Sequence, residues 1–272
     1  MKMKSEQLAG VRETLKAVCT YSARSLAALL LAILFLAAAP VGAATFNWTG
    51  DGDGSSWTNT ANWGTNTYPG EFDTSDLAQS LEDATQTVVI DSVIPYELSD
   101  IKANTHVDLK ITTGADISVA GIIRNAGTIL MDGGRLEKTG AGGAIGEANI
   151  GGLDFTMTGG TLVGTSDLFF VGASAVVSGT AKVEIADRFR ADDVFTVETG
   201  GQVYDTANIL AIIEAATYTI AGGSFILDNG GSEFRFRPGV GTFVVEGSSS
   251  TVTLNEITDS ESSASDNNIA FK

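Results

Sequence analysis

Two arginines and two aspartates share one short stretch, Arg188-Phe-Arg190-Ala-Asp192-Asp193, and a second alternating pair, Arg235 and Arg237, follows later in the chain. Residues two apart on an extended chain point to the same side. Each pair therefore presents two guanidinium groups together, the first beside paired carboxylates. That grouping suits a polysaccharide lyase, which needs a base and a neutraliser of substrate charge. It also suits a glycoside hydrolase, which needs two carboxyl groups at a set separation. The same spacing makes a cross-rung ion ladder on a solvated strand face, and that is the reading adopted.

Asp51-Gly-Asp53-Gly places two carboxylates in a flexible turn, the ligand type that a hard cation such as calcium prefers. An EF-hand-like loop wants Gly at its sixth place and Glu at its twelfth. Counted from Asp51, those places hold Ser56 and Asn62, so a plain polar turn fits better. All three tryptophans, Trp48, Trp57 and Trp63, lie in the same stretch, Phe46 to Trp63. Exposed, they would stack on sugar rings. Packed inward, they would cover the open end of a strand layer, and the second arrangement is expected.

The only histidine is His106, read as an edge-strand residue, and the only cysteine is Cys19. A Ser-His-Asp triad, a multi-histidine zinc site or a cysteine metal site has almost no material to draw on. Gly140, Gly142 and Gly146 miss the dinucleotide-binding spacing, because Ile145 stands where the third glycine belongs. No catalytic, cofactor-binding or metal-ligating residue is assigned, and no cofactor.

The elements that would position these groups are strands. Glycine is abundant (32 in 272 residues), proline scarce (4), and only 18% of residues are charged, a β-rich composition. The formal charge is −17; setting aside the first 44 residues leaves 11 basic and 31 acidic residues, net −20. Such a surface repels nucleic-acid phosphates and anionic membranes.

Residues 1–44 read as a signal peptide: a long basic region, the apolar run from Leu26 to Ala39, Pro40, and small residues at 42–44. That run is short for a membrane span, which takes about 20 apolar residues. Cleavage is expected to leave a mature terminus at Ala44 or Thr45. Residues 45–86 form the Trp- and Gly-rich cap segment, with a Tyr68-Pro69-Gly70 turn.

From Thr87 onward one phrase recurs: an alternating strand, a turn glycine, another strand. The turn glycines are Gly114, Gly133, Gly159, Gly179, Gly200, Gly222 and Gly247, at intervals of 19 to 26 residues. Imperfect repeats of this length, made of short strands, indicate a solenoid. Leucine-rich repeats share the period but need a Leu and Asn framework that is missing. A β-sandwich gives short strands without recurrence of one phrase. A parallel β-helix explains both, with about eight rungs and a length of roughly 40 Å at strand spacing.

Residues 87–257 are thus the β-solenoid. Thr139 to Gly152 reads as a loop projecting from it. Ile209 to Ala216 reads equally as a helix or a buried strand. Residues 258–272 read as an acidic, serine-rich tail or an incomplete further rung.

WTGDGDGSSWTNTANW, then YPG, then TVVIDS, resembles the opening of secreted bacterial β-solenoid proteins. These include proteins with autotransporter-associated β-strand repeats and exported proteins of the PEP-CTERM type. The resemblance is specific over Phe46 to Ser92 and generic beyond. It implies an all-β chain entering a right-handed parallel β-helix, with a role at the cell surface, and it brings no catalytic residues. The chain departs from that group at its C-terminus, where no PEP-CTERM anchor or outer-membrane barrel is read.

The expected protein is exported, non-enzymatic, and structural or adhesive at the cell surface or outside the cell. Its partners are expected among surface glycans or other surface proteins, with no nucleic acid and no membrane insertion after signal cleavage. The alternative is a carbohydrate-active protein, either a glycan-binding module or a β-helix polysaccharide lyase.

Overall fold

Alternation of apolar and polar residues along each short strand buries one side and leaves the other outward. In the computed structural model, that pattern coils into a parallel β-solenoid of about seven turns. The structure describes residues 44–80, 86–103, 107–124, 127–142, 144–146, 153–213, 217–236, 241–259 and 268–271. Residues 1–43, which fall in the segment read as a signal peptide, lie outside them, as do His106 and Arg237. The only helix among the described residues is a single 3₁₀ turn, Thr60–Trp63.

Each turn carries up to three strands, and each strand pairs in parallel with its counterpart one turn on. Face A begins at Gln86–Ile90 and Val107–Ile111. It continues through the first halves of Thr128–Lys138 and Leu153–Gly164 to Ala173–Val177, Val194–Glu198, Thr217–Ala221 and Thr242–Glu246. It ends on Asn268–Phe271. Face B runs from Asp116–Val119 through the second halves of the two long strands. Lys182–Ile185, Gln202–Asp205, Ser224–Leu227 and Thr251–Leu254 complete it. Face C starts earlier, at Thr45–Trp48 and Asp76–Ser80, and reaches Glu256–Asp259.

The corner from face A to face B is the glycine turn. Gly114, Gly179, Gly200, Gly222 and Gly247 all have positive φ, as their place in the repeat suggests. In the two long strands the assignment shifts by one. Gly134 and Gly160 take the left-handed conformation, and Gly133 and Gly159 do not. There the strand runs through the corner, with the register shifting around Gly159.

Two stretches differ from their sequence reading. Ala144–Ile145, inside the predicted projecting loop, is a short face C strand paired with Ile123 and with Phe169–Phe170. Ile145 is fully buried between Ile123 and Phe170, and that apolar contact draws the segment onto the sheet. Leu210–Ile213 resolves the helix-or-strand choice as a strand, and at the C-terminus Asn268–Phe271 pairs with face A.

The interior is a stack of aligned side chains, with a small residue on one face opposite a large one on another in two of its turns. On face A the inward column reads Phe155, Ala175, Phe195, Tyr218, Phe243. On face C it reads Leu168, Phe189, Ala211, Phe234. Ala175 thus shares a turn with Phe189, and Ala211 with Phe195. A large ring from one face fills the space left by the small residue on the other, which keeps the packing dense. Ring centroids along this stack lie 5.0 to 6.4 Å apart for the contacts of Phe189 with Phe170, Phe195, Tyr218 and Phe225. The buried Tyr218 hydroxyl accepts the Ala191 N–H at 2.8 Å, and burial pushes its pKa up.

The inward column at the end of face B contains two charged residues. It reads Val119, Lys138, Gly164, Ile185, Asp205. Asp205 accepts the N–H groups of Asp228 at 3.2 Å and Asn229 at 3.1 Å, and also the Ser232 hydroxyl. Lys138 is fully buried, and its Nζ donates to the carbonyls of Val119 at 3.0 Å, Ala120 at 3.2 Å and Gly121. Both side chains satisfy backbone groups at a corner where an aliphatic side chain could not.

Burial pushes the Lys138 amine down to about 8, against the opposing pull of Asp100 and Glu97. Between that value and its ordinary 10.5, the unfolded chain holds a proton that the folded one does not, so stability gains with rising pH. The gain integrates to about 3 kcal/mol. Lys138→Met should lose this component. Denaturant titrations from pH 7 to 11 are expected to show wild type gaining about that much relative to the variant. Parallel pH profiles would contradict the assignment.

Candidate functional site

The Asp51–Asp53 loop and the three tryptophans form one unit, and its knot is Asn62. This residue is completely buried. Its Oδ1 accepts the N–H groups of Gly52 at 2.9 Å and Gly54 at 3.1 Å. Its Nδ2 donates to Asp53 Oδ1 at 2.7 Å and to the Ser56 carbonyl at 2.9 Å. The full side-chain amide capacity is thereby used. Gly52 has no room for a side chain, since a Cβ would come within 2.6 Å of Asn62 Oδ1.

Asp53 also accepts Ser55 N at 3.0 Å and Ser56 N at 2.9 Å. The Asn62 amide and then these two N–H groups hold its carboxyl well below the usual carboxylate range. The carboxylate acts as a turn acceptor. A calcium ion would have to displace these donors. Among the described residues, no three His, Cys, Asp or Glu side chains are grouped as a metal site.

The tryptophans are only 2–3% exposed. Trp63 meets Trp48 and Trp57 edge-on, at centroid distances of 5.0 and 4.8 Å. Its Nε1 donates to the Trp57 carbonyl at 2.6 Å, and Trp57 Nε1 donates to the Pro69 carbonyl at 3.2 Å. A sugar cannot stack on rings buried in this way. An apolar cavity of about 30 Å³ lies between Trp48, Trp57, Trp63, Ala78 and Leu109, too small for a sugar ring.

The same segment closes the first strand edges. Val89 N donates to Ser55 O at 2.7 Å, and Trp57 N donates to Val89 O at 2.9 Å, which covers the start of face A. Thr45–Trp48 and Asp76–Ser80 stand ahead of Leu98–Lys102 on face C. The Trp-rich opening is a cap.

The arginines lie outward on face C, each held by a carboxylate. Arg188 makes two bonds of 2.6 Å to Asp167, which is 2% exposed, and its guanidinium sits 5.6 Å over the Phe169 ring. Asp167 belongs to the preceding turn, so this pair does cross rungs. Arg190 forks onto Asp192, just past the end of its strand, with Nη2 to Oδ2 at 3.1 Å. Arg235 forks onto Glu233, at 3.0 and 2.8 Å. Asp193 is exposed, and its carbonyl accepts Thr217 N at 3.0 Å. The geometry brings Arg188 and Arg190 to one face, as their spacing suggests, and then engages both.

Gly142 and Gly146 both have positive φ, and Gly142 N donates to Asp167 at 3.2 Å. Asn62, Lys138 and Asp167 are the structurally decisive polar residues that sequence reading passed over. Only Asn62 had a local signal, its place in a Gly- and Asp-rich turn.

These features define a capped parallel β-solenoid. Comparison of the chain with family models, with curated proteins and with solved structures found no match.

Proposed function

We propose that the chain is an exported, non-enzymatic β-solenoid with a structural or adhesive role at the cell surface or outside the cell. The observation that carries this reading is the engagement of the described arginines that look catalytic in the sequence. Arg188, Arg190 and Arg235 are each forked onto a carboxylate, and the Arg188–Asp167 pair ties one turn to the next. The resemblance of the opening segment to secreted bacterial β-solenoid proteins and the leader-like residues 1–44 support export. The mechanism is repetition: ladders of backbone hydrogen bonds and aligned side chains build a stiff acidic support that presents corners and faces.

Expression in a secreting bacterial host, with mass spectrometry of the culture fraction and a polysaccharide-turnover assay, tests the proposal. Mature protein beginning at Ala44 or Thr45, with no turnover, is expected. An intact Met1 or Met3 terminus on a membrane-held product would overturn export. Turnover of an acidic polysaccharide that disappears in Arg188→Ala, with the fold retained, would establish the lyase alternative instead.

A further inference from the structure

Three aspartates are buried among the described residues, and their surroundings differ. Asp167 has the forked Arg188 guanidinium. Asp205 accepts two backbone N–H groups and the Ser232 hydroxyl. Asp76, only 3% exposed, has two neutral donors: its Oδ2 accepts Gly70 N at 3.0 Å, and its Oδ1 accepts Ala44 N at 3.3 Å. Among the described residues no lysine or arginine forms an ion pair with it. A carboxylate has about four acceptor sites, and burying one without a counter-charge is costly.

The backbone is bent to place it there. Ser75, immediately before Asp76, has φ of 72°, the only positive value at a non-glycine among the described residues. Such strain persists only where the surroundings enforce it, and it collects at sites with a task. Here Ser75 N donates to Glu97 O at 2.8 Å, and Ser99 Oγ donates to the Asp76 carbonyl at 3.1 Å.

Ala44 separates the two cleavage points that the leader-like sequence offers. It packs half-buried against the core, its carbonyl accepts Leu77 N at 2.8 Å, and Thr45–Trp48 continues from it along Leu77–Ser80. Cleavage before Thr45 would remove both Ala44 bonds and leave the Asp76 carboxylate with Gly70 N alone. Cleavage before Ala44 keeps the carbonyl bond and turns the amide that faces Asp76 into an ammonium group.

We infer that the Ala43–Ala44 peptide bond is the processing site, and that the ammonium released on Ala44 pairs with the buried Asp76 carboxylate to complete the cap. The inference rests on the proposed export, whose leader peptidase would hydrolyse the bond with water. The C–N bond breaks, and the water oxygen with one hydrogen goes to the Ala43 carbonyl carbon. The other hydrogen goes to the Ala44 nitrogen. The new carboxyl group then loses its proton to solvent, and the new amine takes one up. A charge-assisted N–H···O bond is shorter, about 2.7–2.9 Å, and stronger than the neutral one it replaces. Asp76 already holds Gly70, whose neighbour Pro69 receives the Trp57 indole N–H. The new charge thus ties the terminus, through that turn, to the tryptophans.

The chain from Ala44 can be made in the cytoplasm behind a removable tag that leaves a free Ala44 amine, which tests the pair apart from export. The same chain acetylated at that amine, and both forms of Asp76→Asn, complete a cycle. The free amine is expected to raise the melting midpoint by about 2–4 °C over the acetylated chain, and Asp76→Asn to erase that difference. A second readout needs no variant. At pH 8, near the ordinary pKa of an α-amine, the folded Ala44 amine should be acylated about tenfold more slowly than in the urea-unfolded chain. Mass spectrometry of the N-terminal peptide reads that rate. Secreted protein should begin at Ala44. A Thr45 terminus, equal midpoints for the free and acetylated chains, a difference that survives Asp76→Asn, or equal acylation rates would each overturn the inference while export stands. An intact Met1 or Met3 terminus would instead overturn export, and the processing step with it.

Discussion

Trp63→Ala is expected to lower stability by about 3–5 kcal/mol, the range for truncating a fully packed aromatic side chain. Trp63 holds both other tryptophans edge-on, and its Nε1 bond to Trp57 O ties the 3₁₀ turn to the strand edge below. Losing it opens a void beside an apolar cavity that is already present. It also loosens the segment from Ser55 to Trp57 over Val89, freeing main-chain groups that template association with another chain. Denaturant melts would show the lowered midpoint, and size-exclusion chromatography would show soluble multimers. Phe72→Ala, in the same region but 69% exposed, should stay within about 0.5 kcal/mol of wild type. An unshifted Trp63→Ala midpoint with a monomeric profile would contradict the cap.

Valine substitution at three corner glycines is expected to give a graded loss, largest at Gly200. All three have similar positive φ: 83° at Gly200, 87° at Gly222 and 85° at Gly247. Their surroundings differ. A Cβ on Gly200 would lie 2.2 Å from the Gly179 carbonyl oxygen, a backbone atom held by its own turn. On Gly222 the nearest atoms are the hydroxyls of Thr199 at 2.7 Å and Ser249 at 3.0 Å, which can rotate away. On Gly247 nothing comes closer than 3.8 Å. Gly247→Val should therefore show backbone strain alone, about 1–2 kcal/mol. Gly200→Val should add overpacking to strain, for about 3–5 kcal/mol together. Thermal melts of the three variants decide the order, and equal losses would mean that the stacking of corners is unimportant.

The solenoid was legible because its signal is repeated. Phe155, Phe195, Tyr218 and Phe243 each alternate with outward residues and precede a glycine turn, so one weak pattern recurs until it is distinctive. The cap was legible from tryptophans among glycines. What escaped was set by neighbours one turn away. Whether Gly133 or Gly134 turns left-handed depends on a strand continuing through the corner, which local composition does not encode. Lys138 looks like any strand-end lysine until the carbonyls of Val119, Ala120 and Gly121 come to lie around it. Arg188 and Arg190 belong to one strand, yet one bridges to Asp167 of the preceding turn and the other forks onto Asp192, two residues on.

The cap precedes the full turns in the chain, and the later strands pair with the strand about one repeat before them. Contacts so local in sequence keep the loop-closure entropy of each step small. They also impose an order of assembly. A chain made from its N-terminus completes the segment around Asn62 before any full turn exists. That segment then presents the first ordered edge, on which Gln86–Ile90 and after it Val107–Ile111 can add. Growth becomes a zipper with a defined first tooth. A fault at any corner, such as a side chain at Gly200, would stall everything downstream of it while the earlier turns stand complete.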